Sequence, residues 1–467
     1  MRLLLGLGIT TAIAIAACSS SSNDGAAPAP GGSSGDTPPV VVAPPGTVTF
    51  HKDVEPVLQK VCQNCHSAGG IAPFSLVTYA DAKRVAESIV QQTHDRKMPP
   101  WGAQNTSECT PPKGWKDDQR LSEAEIGILK AWHDAGDYEG DPKDAPPPRT
   151  APASAGLTDG TSLAPTTPFT LGGTADTFRC FVLDPQITST KYLNATNFVP
   201  SNKTIVHHAL AFAVPPGTAV PANEYECFGG PNVTGASLVA AWAPGGVPNQ
   251  YPADVGLALE PGTKFVMQVH YHPHASATND PDRTAFQFRL TDAVPTYKAT
   301  TRLLGNFRNP IAAAGIGLEV GMNDVGGKAA FLIPANATAH VETMQFTVPA
   351  ASKAGWVLGV GAHMHLAGHD EKITIDRPGQ ASSCLLHEPA WDFDWQRGYQ
   401  YDAPIESLPT IQGGDVLRIR CTYDNSLSNL TLSSARKEAG SMQSVDMTLG
   451  ESTTDEMCLG AFTFVTK

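Results

Sequence analysis

The chain has 467 residues, 41% of them hydrophobic, with 43 glycines and 39 prolines. That length carries more than one hydrophobic core, about three domains on the usual size scale, and the glycine and proline content favours short strands and turns over long helices. A formal net charge of -13 argues against a nucleic-acid partner, because neutralising phosphates needs a basic face.

Residues 1–18 read as an export signal. Arg2 precedes the apolar run LLLGLGITTAIAIAA, which ends at Ile15-Ala16-Ala17-Cys18. The run is too short for a membrane span and has a lipobox-like end; cleavage near the alanines with an incidental Cys18 is the plainer alternative. A lipid on Cys18, with Ser19 behind it, implies an exported protein of the bacterial cell envelope, anchored to the membrane and sorted to the outer one by bacterial analogy. Residues 19–47, rich in Ser, Pro and Gly, lack the apolar content to fold and form a tether.

A small all-α module is expected over residues 48–142. In VTFHKDVEPVLQKVC, Val54, Val57, Leu58 and Val61 recur at helical spacing and predict a one-sided apolar stripe. The run ends in Cys62-Gln63-Asn64-Cys65-His66, and C-x-x-C-H is the attachment motif of a c-type haem: two thiols form thioethers and the histidine ligates the iron. Met98, in Lys97-Met98-Pro99-Pro100-Trp101, is the expected sixth ligand, with His94 its competitor. Ser122-Glu123-Ala124-Glu125 signals a capping box, followed by Ile126, Leu129 and Trp132 on one helix face. The module resembles a class I cytochrome c, which implies electron transfer. Residues 143–165 form a proline-rich linker.

From residue 166 the texture becomes mainly β. TIVHHALAFAV, TKFVMQVHYHPH, AGWVLGVGAHMH, DVLRIRCTYDN and MCLGAFTFV all read as strands, and their number suggests two consecutive antiparallel β-sandwiches, over residues 166–298 and 299–467. Histidines gather on these strands: His207-His208, His270-Tyr271-His272, and three within GAHMHLAGH. Side chains alternate along a strand, so His363 and His365 project to one face, suited to one metal. Adjacent His207 and His208 point oppositely on a regular strand and reach one ion only at a strand end, a bulge or a twist.

Four segments, VHHALAFAV, MQVHYH, GAHMHLAGH and Thr454-Asp455-Glu456-Met457-Cys458, together resemble the copper type II ascorbate-dependent monooxygenases, the family of peptidylglycine α-hydroxylating and dopamine β-monooxygenases. The resemblance covers roughly residues 166–467 and implies jelly-roll-like sandwiches, two copper ions, O2, a small-molecule substrate and an ascorbate-like or redox-protein electron donor. It assigns one copper to His207, His208 and His270, and the other, the oxygen-reacting one, to His363, His365 and Met457. Thioether ligation suits Cu(I). The resemblance also pairs Cys180 with Cys227 and Cys421 with Cys458, the second bridge pinning Met457. Cys109 and Cys384 are left either bridged to each other or free.

The chain departs from the peptidylglycine enzymes in two places. It has Gly361 where they carry a substrate-gripping arginine, and Leu459 where they carry asparagine, so a less anionic substrate is implied. His272, His274 and His369 have no ligand role in the family and are outer partners or surface residues, while Met364 faces a core. The resulting expectation is a C–H hydroxylating monooxygenase with the haem feeding electrons. The alternatives are a non-catalytic copper-binding or electron-transfer lipoprotein and, third, a zinc hydrolase using Asp370 or Glu371 as base.

Overall fold

The computed structural model describes residues 43–67, 72–149, 156–173, 176–227, 230–243, 246–273, 279–306, 316–321, 324–438, 440–450 and 452–467. The segment read as an export signal, Cys18, most of the expected tether and His274 lie outside these residues. No helix among the described residues is long and apolar enough to cross a membrane.

The helical part has a core of its own. Its first helix begins as a π-turn at Phe50–Val54 and continues as Glu55–Lys60, with Pro56 in the first turn where a missing N–H costs nothing. Val54, Val57, Leu58 and Val61 are all buried, as their spacing predicts, against Ile89, Leu129 and Trp132. The helix Glu123–Ala135 starts in the expected capping box, Ser122 and Glu125 bonding each other's backbone amides, and ends at Gly136 with φ of 106°.

The remainder is mainly β, in several sheets. One five-stranded sheet places Lys264–Tyr271 between Thr177–Leu183 and Val206–Val214. Every residue of that central strand except Lys264 is buried, so both of its faces are covered. A second five-stranded sheet contains His340–Thr347, Val416–Tyr423, Gly368–Asp376 and Ser383–Glu388 in that order. Here Val416–Tyr423 alternates strictly between buried and half-buried, one face being packed. A ten-stranded sheet runs through both halves, because Val255–Leu259 pairs in parallel with Tyr297–Gly305, which pairs in turn with the last strand, Leu459–Thr466. The sheet is therefore continuous across the 298/299 position, and one apolar core serves both halves.

The helical part does not hang on its linker alone. Residues 99–118, between its last two helices, leave the helical core and lie along the β region as a strap. Trp101, Ala103 and Trp115 belong to the β core. Trp115 stacks on Tyr401 at 4.7 Å between ring centres, and Trp101 meets Tyr399 edge-on at 5.1 Å. The Gly102 and Ala103 amides donate to the Tyr399 hydroxyl, and the Gln104 amide to the His387 carbonyl. Cys109 and Cys384, open as to partner in the sequence, are joined in a disulfide that fastens the strap.

Candidate metal centres

The first histidine set is built by strand pairing. His208 lies opposite His270 in the register of Val206–Val214 against Lys264–Tyr271, and the register shifts between Val206 and His208. That irregularity falls on His207. It supplies the bulge that lets two consecutive imidazoles turn toward one point. Ring nitrogens of His207, His208 and His270 lie within 4.8 Å of one another, and Nδ1 of His207 and of His208 are 3.3 Å apart. His270 is buried and neither of its ring nitrogens has a hydrogen-bond partner, although the Asp176 carboxylate comes within 3.6 Å of Nε2. Burial holds His270 down at about 4, Asp176 opposing the shift. Burial, then the neighbouring imidazoles, holds His208 well below the usual range. Imidazole nitrogens converging on one point fit a metal ion, and a buried nitrogen with no partner is otherwise costly.

Around this set, Asp176 also accepts a 2.6 Å bond from Nδ1 of exposed His272, which makes His272 an outer partner of His270. Phe178 stacks on His270 at 4.1 Å. Asp394 approaches His207 Nε2 at 3.7 Å and the Phe393 ring stacks on His207 at 5.2 Å.

The second set is built differently. His363 ends the strand Gly355–His363, and His365 follows in the turn before Gly368–Asp376, with ring centres 5.3 Å apart. Two buried glutamates fix the backbone here. Glu371 accepts the His363 amide at 3.1 Å. Glu456 accepts the amides of His365, Ala367 and Met457 at 2.8, 2.7 and 3.0 Å. Burial raises Glu456 to about 8 and Glu371 well above the carboxylate range, with Glu388 adding to the rise of Glu371. Each imidazole is oriented through Nδ1: His363 to the Gln396 side chain at 2.7 Å, His365 to the Asp455 carbonyl at 3.2 Å. Nε2 of each is thereby left for a ligand. Burial lowers His363, and brings His365 to about 3.

Met457 is buried in the same segment as Glu456, and its carbonyl accepts a bond from the Tyr423 hydroxyl. The Cys421–Cys458 bridge pins that segment, and Cys180–Cys227 closes beside the first set. Both pairings are those the family resemblance implies. Phe393 faces both sets, its ring centre 6.1 Å from that of His365.

Residues 166–277 match the family model of the copper type II ascorbate-dependent monooxygenase, N-terminal domain. The matched span contains His207, His208 and His270. "DBH-like monooxygenase protein 2" of Mus musculus is 26% identical over 257 residues, covering 53% of this chain and 39% of that protein. "Putative DBH-like monooxygenase protein 2" of Homo sapiens is 25% identical over 292 residues, 61% of this chain and 52% of that one. "Dopamine beta-hydroxylase" of Bos taurus is 26% identical over 197 residues, covering 40% and 28%. The chain thus spans between about a quarter and a half of these relatives. Over these spans the chain is similar to copper type II monooxygenases.

The remaining candidates are placed as follows. Cys62 and Cys65 are free thiols, and His66 Nδ1 lies 3.1 Å from the Phe74 carbonyl, leaving Nε2 unengaged. That arrangement fits a covalently held haem with His66 on the iron. Met98 is half-buried in the turn after Ala86–His94, its amide donating to the Gln92 carbonyl. His94 is exposed and bonded to Asp95, a poorer position for an iron ligand. His369 is exposed and Met364 is fully buried.

Asp370 and Glu371, the bases a zinc hydrolase would need, are committed elsewhere: Asp370 to His387 and Arg420, Glu371 to the His363 amide. A Cβ at Gly361 would stand 3.2 Å from the Arg397 carbonyl and 3.3 Å from Gly398 Cα. The site thus has no ready room for the arginine that peptidylglycine enzymes carry there. Sequence reading missed the roles of Glu371, Glu456, Gln396 and Phe393. For Glu456 the one available signal was a carboxylate fixed beside a proposed ligand.

Proposed function

We propose that this protein is a copper-dependent monooxygenase that hydroxylates a C–H bond of a small, weakly charged substrate, with electrons supplied through a fused class I-like c-type haem. The observation that carries this reading is the bulge at His207. It converges three imidazoles inside the span that matches a copper monooxygenase domain, while a separate His–His pair sits by Met457 across Phe393. His207, His208 and His270 would hold one copper. His363, His365 and Met457 would hold the other, whose thioether ligand favours Cu(I) and so supplies reactivity toward O2.

The chain's own residues do the rest. Gln396 and the Asp455 carbonyl fix ring orientation at the second set, and at the first the Asp176 carboxylate lies 3.6 Å from His270 Nε2. Glu456 locks the backbone on both sides of His365. Phe393 keeps apolar surface between the sets. The reaction consumes R–H, O2, two electrons and two protons, and yields R–OH and water. Haem on Cys62, Cys65 and His66, with Met98 as its second axial ligand, would supply the electrons singly. A lipid anchor on Cys18 in the bacterial envelope, at the outer membrane, completes the proposal.

The test is oxygen uptake and product analysis on haem-matured protein loaded anaerobically with Cu(I), screened against neutral small molecules. Met457→Ala abolishes hydroxylation and leaves the haem spectrum unchanged; normal turnover in that variant sinks the second-site assignment. His66→Ala removes the low-spin haem spectrum and spares copper binding. Copper bound at both sites without substrate-dependent oxygen uptake would move the reading to a copper-holding or electron-transfer lipoprotein.

A further inference from the structure

Along the seam where the strap lies on the β region, four oxidisable rings touch in series. Trp101 meets Tyr399 at 5.1 Å between ring centres, Tyr399 meets Trp115 at 5.3 Å, and Trp115 stacks on Tyr401 at 4.7 Å with the planes 10° apart. All four are buried. One end of the series lies behind the second histidine set. Tyr399 stands opposite Val360 in the pairing of Gly398–Gln400 with Gly355–His363, and Val360 is about 10 Å along that strand from His363. Gln396, on the same segment as Tyr399, bonds His363 itself. The other end reaches a surface cavity of about 570 Å³, which Tyr401 lines with Lys116, Tyr251 and Asp402. Indole and phenol are the side chains that most readily give up one electron. The second set holds a side chain that such chemistry must spare: Met457, its proposed thioether ligand, is converted by peroxide into a polar sulfoxide.

We propose that Tyr399, Trp115 and Tyr401 form a path that draws oxidising equivalents away from the second set when hydrogen peroxide reacts there without substrate, and so protects Met457. The inference rests on the copper reading of that set and adds a function to it. Electrons run from Tyr401 and Trp115 through Tyr399 toward the set. The step balances: one hydrogen peroxide takes up two electrons and two protons and leaves as two waters, while one phenol and one indole each lose an electron and a proton and become neutral radicals. Trp101 lies off the path. The Arg397 and Arg120 guanidinium groups stand over its ring at 5.2 and 5.9 Å, and a cation against a ring face resists removal of an electron.

The experiment takes the full chain, loaded anaerobically with Cu(I), and mixes it with hydrogen peroxide in the absence of substrate. Freeze-quench paramagnetic resonance and peptide mass mapping read the result. Wild-type protein is expected to give tyrosyl and tryptophanyl signals, oxidation at Trp115 and Tyr401, and little sulfoxide at Met457. Trp115→Phe keeps an aromatic ring and interrupts the path: oxidation at Tyr401 disappears and sulfoxide at Met457 rises severalfold. Trp101→Phe leaves both as in wild type. Equal Met457 sulfoxide in Trp115→Phe and wild type would overturn the proposal, as would a rise in Trp101→Phe matching that in Trp115→Phe. So would unchanged ring oxidation in His363→Ala, because the peroxide would then be acting from elsewhere. Should Trp115→Phe fail to fold, Tyr399→Phe decides by the same two readings. Absence of copper from the second set of the wild-type protein, shown by metal content beside Met457→Ala, would overturn the copper reading and this path together, and is distinct from the other outcomes.

Discussion

The two histidine sets are assembled by opposite means. The first stands on two hydrogen-bonded strands, and one bulge in their register aims all three imidazoles. The second stands at the end of one strand and in the turn beyond it, where the ladder no longer fixes the backbone. Two buried glutamates and a disulfide do so instead. A sheet fixes ligand positions through many shared bonds. A turn needs dedicated acceptors for its amides, and these must be buried to hold it rigid.

Removing those acceptors separates the two modes of assembly. Glu456→Ala strands three buried amides, and with about 1–3 kcal/mol for each unmet donor it should be the most damaging change. We expect roughly 3 kcal/mol or more of lost stability by urea unfolding, and copper binding reduced to the first set alone. Loss of both coppers would show that the sets are not independently built.

Next in size is the strap. Cys109→Ser with Cys384→Ser should cost about 2–4 kcal/mol and expose residues 99–118 to limited proteolysis. Copper binding at the first set should be unchanged, and its loss would tie that set to the seam.

Asp176→Asn sharpens the contrast from the sheet side. It should weaken copper at the first set roughly tenfold, the usual scale for an outer partner, with no effect at the second by competitive Cu(I) titration.

A further effect is a pH slope. Burial raises Glu388, which faces Gly102 of the strap, from 4.5 to about 8. The folded chain therefore holds this proton more tightly than the unfolded one, and stability falls as pH rises from 4.5 through about 8. Glu388→Gln should flatten that part of the stability–pH curve and gain over wild type at its alkaline end.

Legibility in the sequence follows the same division. For the first set the sequence left a strand end, a bulge or a twist as ways for adjacent histidines to meet, and the structure has a bulge at His207; the ligand set itself came from the family resemblance. Helix positions followed from period and caps, as Leu129, Trp132 and Ser122 show. The clamps of the second set were not readable. Glu371 looks like an ordinary strand residue, and only the pairing of Gly368–Asp376 with Ser383–Glu388 and Val416–Tyr423 buries it. The strap was equally hidden. Trp101 and Trp115 read as part of a helical module, but their apolar partners Tyr399 and Tyr401 are nearly three hundred residues away. Long-range pairing has no local period to betray it.

The most direct measurement is X-ray absorption at the copper edge on protein loaded anaerobically with Cu(I), wild type beside Met457→Ala. Two coppers per chain, with a sulfur scatterer on average at half of them that disappears in the variant, is the predicted result. A single copper, or sulfur scattering indifferent to Met457, would contradict two sites of different construction.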